Sequence, residues 1–402
     1  MGNVLITTLG RAKPLVSRKS GVGRYQTVRY RFESGCVSEP TAFFGVALKD
    51  CLQASGIEID RIAILGTRSS MWDAWLEVED DLYFANEAFA RELAEAATSE
   101  AGVSDAQLQR LAAVLAAQQK TPVVCKAIPY GMTEDEQLAI VQTISDCASE
   151  GDRVYMDVTH GLRHLPMLEL QSAFLMRPRF DTKGIYYGAF DRREGEAVPV
   201  VSLTGAMTIN AWCCAMATLK ETGNVAPLAR LPGMEALRDD LLQSQFYEQM
   251  NDVSQSRKHA REVLAHLDDL PPEGLLFKDE IRRVFDWGNE QKYARRQFEQ
   301  AKKAFENGDY LRSAILLMET AISAHMQGDL TNAEARAAKQ EWLNRGHCDE
   351  WHRIRKLRNS FAHGGNSTGR GAAQVIDMRK SEKGLREGMK PLFKWVESVL
   401  PR

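Results

Sequence analysis

The chain has 402 residues, of which 44% are hydrophobic and 26% are charged, and its formal net charge is −3. This length predicts two or three domains, each large enough to bury a core of its own. No apolar stretch reaches the length of a membrane span, so we expect an ordinary soluble globular protein and exclude a membrane-spanning or disordered one.

Positive charge is concentrated in two stretches of the chain. Residues 351–402 carry twelve Lys or Arg against four Asp or Glu, a net charge of +8 that leaves about −11 for the rest. Residues 1–32 carry seven basic residues and no acidic one, namely Arg11, Lys13, Arg18, Lys19, Arg24, Arg29 and Arg31. Two basic surfaces are what two phosphate-containing ligands would require. A solvated loop and a solvated helix face would show the same charge.

The cysteines and histidines give no sign of a metal centre. The seven cysteines include no Cys-x-x-Cys pair and follow no secretory leader, so we expect a reducing, cytoplasmic environment. His347, Cys348 and His352 lack a fourth ligand at a usual spacing, and we interpret them as structural. We therefore expect neither a metal nor a cofactor.

The N-terminal half alternates short apolar segments with helical patterns. This alternation predicts an α/β domain with a parallel sheet covered by helices on both faces. Thr133 and Glu136 form a capping-box pattern that opens a helix running to about residue 150. A helical insertion with net acidic charge is predicted near residues 72–120. The predicted strands are residues 4–10, 61–66, 123–128, 153–158, 184–190 and 197–203.

Small and hydroxyl-bearing residues follow three of these strands. In such sheets ligands bind beyond the carboxyl ends of the strands, where backbone N–H groups and hydroxyls hold phosphate or ribose. The candidate ligand-binding residues are Thr8, Gly10, Thr67, Ser69, Ser70, Thr159, His160, Gly161 and Arg163. No loop has a Gly-x-Gly-x-x-Gly or Walker pattern, which disfavours a nicotinamide or ATP enzyme. One such loop would be ordinary turn chemistry, whereas three indicate an anion pocket.

The C-terminal half has helical patterns, and residues 358–363 carry its strongest chemical signal. Arg358, Asn359 and His363 combine a permanent cation, an amide and an imidazole, which suits the cleavage of a phosphodiester without metal. On an ideal helix Asn359 and His363 share a face, whereas Arg358 and His363 are roughly 140° apart. A site completed by two copies is therefore the natural interpretation. Gly364 and Gly365 would end the helix at His363, where the macrodipole favours an imidazolium.

The Arg/His spacing is weak by itself because it recurs in the chain. Arg261 and His266 repeat it on what reads as a solvated helix face, and Arg345 and His352 show a similar gap. Context distinguishes the copy at Arg358, which is followed by Asn and preceded by a distinctive helical pattern.

Two family resemblances rest on these motifs. The helical patterns at residues 298–310 and 314–322, followed by the Arg-Asn-x-x-x-His segment, resemble a HEPN domain over about residues 275–402. Residues 157–161, Asp-Val-Thr-His-Gly, are similar to the Asp-x-Thr-His-Gly motif of CRISPR-associated CARF proteins, and residues 66–72 resemble a second segment of that group. The resemblance implies α/β plus all-α architecture: a Rossmann-like CARF domain at 1–222, then a helical linker and HEPN domain at 223–402.

This layout resembles the ancillary ribonucleases of type III CRISPR systems. The resemblance implies a cytoplasmic homodimer or higher homo-oligomer that binds a cyclic oligoadenylate made by a type III effector complex. It then cleaves single-stranded RNA without metal or membrane, through catalytic residues Arg358, Asn359 and His363. Two alternatives stay open: a non-catalytic signalling or RNA-binding module, and a CARF domain that also cleaves the messenger. We expect His160 to fix a loop or touch a ligand. A transcription regulator is disfavoured because no short recognition-helix module is evident.

Overall fold

The computed structural model describes residues 1–10, 25–77, 80–192, 196–326, 333–346, 348–365 and 368–401. The chain forms two compact units, Met1–Thr208 and Ile209–Arg402, which divide within a helix, Thr204–Thr222. The domain boundary expected at residue 222 lies at the end of that helix and stays a prediction. Within the described ranges, no helix combines the length and the apolar character that crossing a bilayer requires.

The N-terminal unit is built around a seven-stranded sheet. Its strands are β1 (Asn3–Leu9), β2 (Arg29–Arg31), β3 (Arg61–Gly66), β4 (Val123–Ala127), β5 (Arg153–Asp157), β6 (Asp181–Gly188) and β7 (Ala197–Ser202). Their order is β2-β7-β6-β5-β1-β3-β4. The pairs joining β6, β5, β1, β3 and β4 are parallel, as predicted.

Two strands depart from the predicted parallel sheet. β7 pairs antiparallel with β6, and β2 pairs parallel with β7, so both run against the other five. The connection from β6 to β7 is short, and an antiparallel neighbour needs no crossover helix. β2 was not predicted, because it has three residues, of which only Tyr30 is buried, and so shows no alternation.

Helices cover both faces of the sheet, as the strand pattern predicts. Side chains of β1 alternate between two cores, with Leu5 and Leu9 in one and Val4 and Ile6 in the other. The predicted insertion consists of a 3₁₀ helix, Trp72–Glu77, and helices α2 to α4. The helices of this unit are α1 (Phe44–Ala54), α2 (Asp80–Ala85), α3 (Glu87–Thr98), α4 (Asp105–Gln119), α5 (Glu134–Ser145), α6 (Leu165–Leu175) and α7 (Thr204–Thr222), whose end enters the second unit.

The predicted capping box at the start of α5 is half present. The Thr133 hydroxyl accepts a hydrogen bond from the Glu136 N–H at 3.3 Å, but the Glu136 carboxylate accepts from the N–H of Met132 at 2.7 Å. The helix ends at Ser145, five residues before the predicted end. In the turn that leads into β5, the Asp152 carboxylate accepts from the Ser149 N–H at 2.8 Å.

Cys36 and Cys51 form a disulfide, with Cα atoms 6.0 Å apart. The expectation of a reducing environment did not anticipate this pair, because fifteen residues separate the two cysteines and the packing of α1 beside β2 brings them together. Burial raises the pKa of the free Cys125 thiol to about 12 and that of Cys147 to about 11. These two thiols are therefore protonated at neutral pH.

The described part of the C-terminal unit is helical and packs around one core. Its helices are α8 (Ala226–Ala229), α9 (Arg238–Gln249), α10 (Val253–Ala265), α11 (Pro272–Leu275), α12 (Lys278–Phe285), α13 (Tyr293–Glu306), α14 (Tyr310–Ala324), α15 (Ala333–Arg345), α16 (Asp349–His363), α17 (Ala372–Met378) and α18 (Glu382–Val399). α13 and α14 form the predicted helical hairpin, and the Asp309 carboxylate caps α14 by accepting from the Arg312 N–H at 3.1 Å. α14 also packs against α16, which carries residues 358–363.

Candidate functional site

The three loops with candidate ligand residues lie at one edge of the sheet. β5, β1 and β3 are adjacent and parallel, and their registers pair Thr7 with Asp157 and Leu9 with Gly66. Their carboxyl ends therefore meet, which is where ligands bind in sheets of this kind.

The first and third loops touch through their backbones at two glycines. A Cβ atom on Gly10 would lie 2.5 Å from the nitrogen of Gly161 and 3.1 Å from its Cα. Gly161 itself has φ of +117°, a conformation that side chains rarely adopt. Both positions therefore require glycine for the loops to approach this closely.

A buried hydrogen-bond network fixes the end of β5 next to β1. The Thr7 hydroxyl donates to the Asp157 carboxylate at 2.5 Å, and the Thr159 N–H donates to its other oxygen at 2.8 Å. Burial raises the pKa of Asp157 to about 6, although both hydrogen bonds favour the charged form. The Thr8 hydroxyl donates to the His160 carbonyl at 2.8 Å. These side chains therefore build the loop.

His160 anchors the same loop to the start of α1. Its half-buried ring stacks on Phe43, with centroids 5.0 Å apart and planes 14° apart. Its Nε2 atom accepts a hydrogen bond from the Phe44 N–H at 3.3 Å, so the proton of the neutral ring lies on Nδ1. Burial lowers the pKa of His160 to about 4, which keeps the ring neutral at physiological pH. A neutral ring with Nε2 occupied fixes a loop and is poorly placed for proton transfer.

The second loop joins the first through hydroxyl groups. The Ser70 hydroxyl donates to the Leu9 carbonyl at 3.0 Å and lies 3.1 Å from the Thr67 hydroxyl. Ser69 Oγ lies 2.8 Å from the hydroxyl of Tyr130, and both residues line a cleft of about 380 Å³. Tyr130 was missed by sequence reasoning. Its signal is an aromatic residue placed directly after a predicted strand.

Burial divides the predicted ligand residues into two groups. The side chains of Thr8, Thr67 and Ser70, and the backbone of Gly10, are buried within the protein. The residues that remain accessible are Ser69, Thr159, His160, Gly161 and Arg163. The first group shapes the loops, and the second supplies groups that a ligand can reach.

Glu169 is a buried carboxyl that the sequence did not single out. It lies on α6, is 2% exposed, and neither of its carboxylate oxygens has a hydrogen-bond partner. Burial, together with the nearby charge of Asp157, raises the pKa of Glu169 well above its usual range. The buried face of α6 therefore carries this carboxyl together with Leu165, Ser172 and Ala173.

The second candidate site is the last turn of α16. The helix ends at His363 and is closed by Gly364 with φ of +66°, so the predicted end of the helix is confirmed. The Arg358 guanidinium donates to the Asn359 side-chain oxygen at 2.9 Å, which joins the two neighbouring side chains. His363 is exposed, and its ring makes no hydrogen bond or ion pair with any described residue.

The other two Arg/His spacings have structural explanations. His266 lies just after α10, where its ring Nδ1 is 2.9 Å from the Asp269 carboxylate, and this hydrogen bond raises the pKa of the histidine. His352 is buried, and its ring Nε2 is 3.1 Å from the Gly346 carbonyl. Of the three histidines at these spacings, His363 alone has a ring without a protein partner among the described residues.

Some predicted features lie outside the described residues. They are His347 and the basic residues Arg11, Lys13, Arg18, Lys19 and Arg24. The thiol of Cys348 contacts the Glu350 carboxylate at 3.4 Å. In the parts of the chain that the structure covers, no group of three or more His, Cys, Asp or Glu is placed to hold a metal ion.

Comparison with known proteins bears on the N-terminal unit. Residues 4–191 match the family described as the CARF domain of the CRISPR system endoribonuclease Csx1. The CRISPR-associated protein MJ1674 of Methanocaldococcus jannaschii is 24% identical over 327 residues, which are 74% of this chain and 50% of that protein. The match thus spans about half the length of that relative. The family's range contains all three loops at the sheet edge, whereas α16 lies outside it. Residues 4–191 therefore match a CARF domain of the kind found in CRISPR-associated proteins.

Proposed function

We propose that this protein is an endoribonuclease activated by a cyclic oligoadenylate, and that its C-terminal helical unit is a HEPN domain. The observation that carries the proposal is the C-terminal end of α16, where a hydrogen bond joins Arg358 to Asn359 and His363 is exposed. The family that matches residues 4–191 carries the name of a CRISPR endoribonuclease, which supports the proposed activity.

The proposed reaction is an internal transesterification of RNA. The 2′-hydroxyl of a nucleotide loses its proton and attacks the adjacent phosphorus, while the 5′-oxygen leaves and takes up a proton. His363 serves as the acid or the base, and the Arg358 guanidinium stabilises the charge on the phosphorane. Because the Asn359 oxygen accepts from Arg358, its amide N–H groups remain free to orient a phosphate oxygen. The products are a 2′,3′-cyclic phosphate and a 5′-hydroxyl.

These protein groups supply both proton transfer and charge stabilisation, so the proposed reaction requires no metal and no other cofactor. Arg358 and His363 are five residues apart on one helix, about 140° around its axis, and therefore diverge. A second copy of the chain would bring the complementary group, which makes a homodimer part of the proposal.

The messenger is proposed to bind at the carboxyl edge of the sheet. Ser69, Thr159, Gly161 and Arg163 are accessible there and offer hydroxyl, backbone and guanidinium donors, which match the phosphates and riboses of a cyclic oligoadenylate. A type III CRISPR effector complex in the cytoplasm is the proposed source of this ligand. Binding activates only if it favours one arrangement of the RNA-cleaving units.

A cleavage assay with the full chain tests this function. Labelled single-stranded RNA is incubated with protein alone and with cyclic tri-, tetra- or hexa-adenylate, and the product ends are identified by mass spectrometry. We expect cleavage with at least one messenger and a cyclic phosphate at the new 3′ end.

Two outcomes would replace the proposal. Binding of a messenger without any RNA cleavage would indicate a non-catalytic signalling or RNA-binding module. Conversion of the messenger to linear products would indicate that the CARF domain degrades its own activator. The occupied Nε2 of His160 argues against that ring as the base for such a step.

A further inference from the structure

The position of the His363 ring depends on the backbone of the last helical turn. His363 is the final residue of α16, is exposed, and has no side-chain partner among the described residues. The last turn of a helix lacks partners for its carbonyl groups and frays more readily than the interior. Gly364 follows in the left-handed conformation, which adds no stiffness of its own. Other contacts must therefore hold this turn if the His363 ring is to be positioned against a phosphate.

Two cationic side chains hold the segment that follows His363. The Arg379 guanidinium donates to the Gly365 carbonyl at 3.1 Å. The ammonium group of Lys356 donates to the Thr368 carbonyl. Arg379 lies at the end of α17, and Lys356 lies two turns before His363 on α16 itself, so Gly365 is tied to α17 and Thr368 to α16.

The partners of these cations distinguish them from their neighbours. Arg353, Arg370 and Lys380 each contact a carboxylate, at 3.1, 2.7 and 2.9 Å respectively. Among the described residues, Lys356 and Arg379 contact only carbonyl oxygens. A carboxylate partner would cancel the positive charge, whereas a carbonyl partner leaves it next to the turn where an RNA phosphate would bind.

We propose that Lys356 and Arg379 are positioning residues for RNA cleavage: they clamp the carbonyls of Gly365 and Thr368, just after α16, and thereby fix the position of the His363 ring. This inference rests on the proposed ribonuclease function. Neither residue takes part in proton transfer. Their remaining positive charge also favours the approach of the RNA backbone on either side of the scissile phosphate.

Steady-state kinetics of the full-length, messenger-activated protein test the clamp. Arg379→Ala and Lys356→Ala are each expected to lower kcat by about 10-fold to 100-fold, because misplacing a reacting group by about 1 Å costs roughly that much. The messenger concentration for half-activation should not change. Arg379→Lys, which keeps a donor, should recover part of the loss. Lys380→Ala is the matched control, since that neighbouring lysine is exposed and pairs with Asp377 in the last turn of α17.

Hydrogen exchange gives a second measurement that does not depend on nuclease activity. In Arg379→Ala the amides of residues 361–365 should exchange at least 10-fold faster than in the wild type, while those of α13 and α14 stay unchanged. Unchanged exchange at the end of α16, or an unchanged kcat in both alanine variants, overturns the clamp. If Arg379→Ala exchanges faster but the wild type never cleaves RNA with any messenger, the clamp stands and the ribonuclease proposal is refuted.

Discussion

The substitution Asp157→Asn measures the cost of a buried charge at the proposed messenger site. Asp157 is 1% exposed, and burial raises its pKa from 3.8 to about 6. An acid whose pKa is higher in the folded state loses stability as it ionises, so the wild type should become less stable between pH 4 and pH 6. The difference in pKa corresponds to a loss of about 3 kcal/mol, fully present above the folded pKa.

Asn at this position is neutral at every pH and close to Asp in shape. Its oxygen can accept from the Thr159 N–H, and the Thr7 hydroxyl can turn to accept from its amide. The variant should therefore equal the wild type near pH 4 and exceed its stability by about 3 kcal/mol at pH 7. His160 acts in the opposite direction, because burial lowers its pKa to about 4 and the stability it contributes is lost as pH falls from 6.5. Since both proteins contain His160, its effect cancels in the comparison.

The assay is native-state hydrogen exchange by mass spectrometry on the full chain, read in peptides from β1 and β5 between pH 4 and pH 7. Opening free energies are compared after correction for the intrinsic exchange rate at each pH. Asp81→Asn, on an exposed position of α2, should match the wild type throughout. A stability difference for Asp157→Asn that stays constant across this pH range, or a wild type that is more stable at pH 7, would refute the reasoning.

Three further predictions concern catalysis and activation. His363→Ala should lower RNA cleavage by ~10²–10⁴-fold with messenger binding unchanged, while His266→Ala, whose ring is bound to a carboxylate, should be nearly silent in the same assay. Cleavage should persist in excess EDTA, and restoration of a chelated sample by a divalent cation would point to a metal mechanism. Thr159→Ala combined with His160→Ala should raise the messenger concentration for half-activation, whereas Arg358→Ala should lower only the cleavage rate at saturating messenger. If both variants lower only the saturated rate, the messenger site and the cleavage site are not separate.

The strands of the sheet were predictable where their burial requires a run of apolar residues in the sequence. β1, β3 and β5 are buried strands with apolar runs, and parallel topology then places their carboxyl ends at one edge. The direction of side chains at that edge was not predictable in the same way. The Thr8 hydroxyl could have bound a ligand, but it donates its hydrogen bond to the His160 carbonyl. Tyr130, from a fourth loop, contributes a hydroxyl instead.

The C-terminal site shows the same division between local and long-range information. The paired glycines after His363 predict the end of α16 because that information is local. The hydrogen bond from Arg358 to Asn359 was not expected, because adjacent helical residues point about 100° apart and only a long guanidinium side chain closes that gap. Arg379 and Gly365 are fourteen residues apart in the sequence and do not lie on one helix, so helical periodicity does not predict their contact.

The divergence of Arg358 and His363 on one helix implies that each cleavage site combines residues of two copies, and subunit mixing can test this. If Arg358 of one copy acts with His363 of the other, the single variants Arg358→Ala and His363→Ala should both be inactive as homodimers. A mixed dimer of the two would then hold one intact pair and one pair that lacks both groups. Equal amounts of the two variants, mixed under conditions that allow subunit exchange, form mixed dimers in about half of cases, so about a quarter of wild-type activity should return.

A site formed within one copy predicts a different result in the same mixing experiment. If Arg358 and His363 act within one copy, every site in the mixture lacks one of the two groups, and activity stays at the level of the single variants. Arg261→Ala mixed with His363→Ala is the control: the first variant keeps both groups of the proposed site and should be active alone, so mixing reports only dilution and exchange. Because Arg358 and His363 lie five residues apart, roughly 140° around the axis of α16, we expect the recovery that a shared site produces.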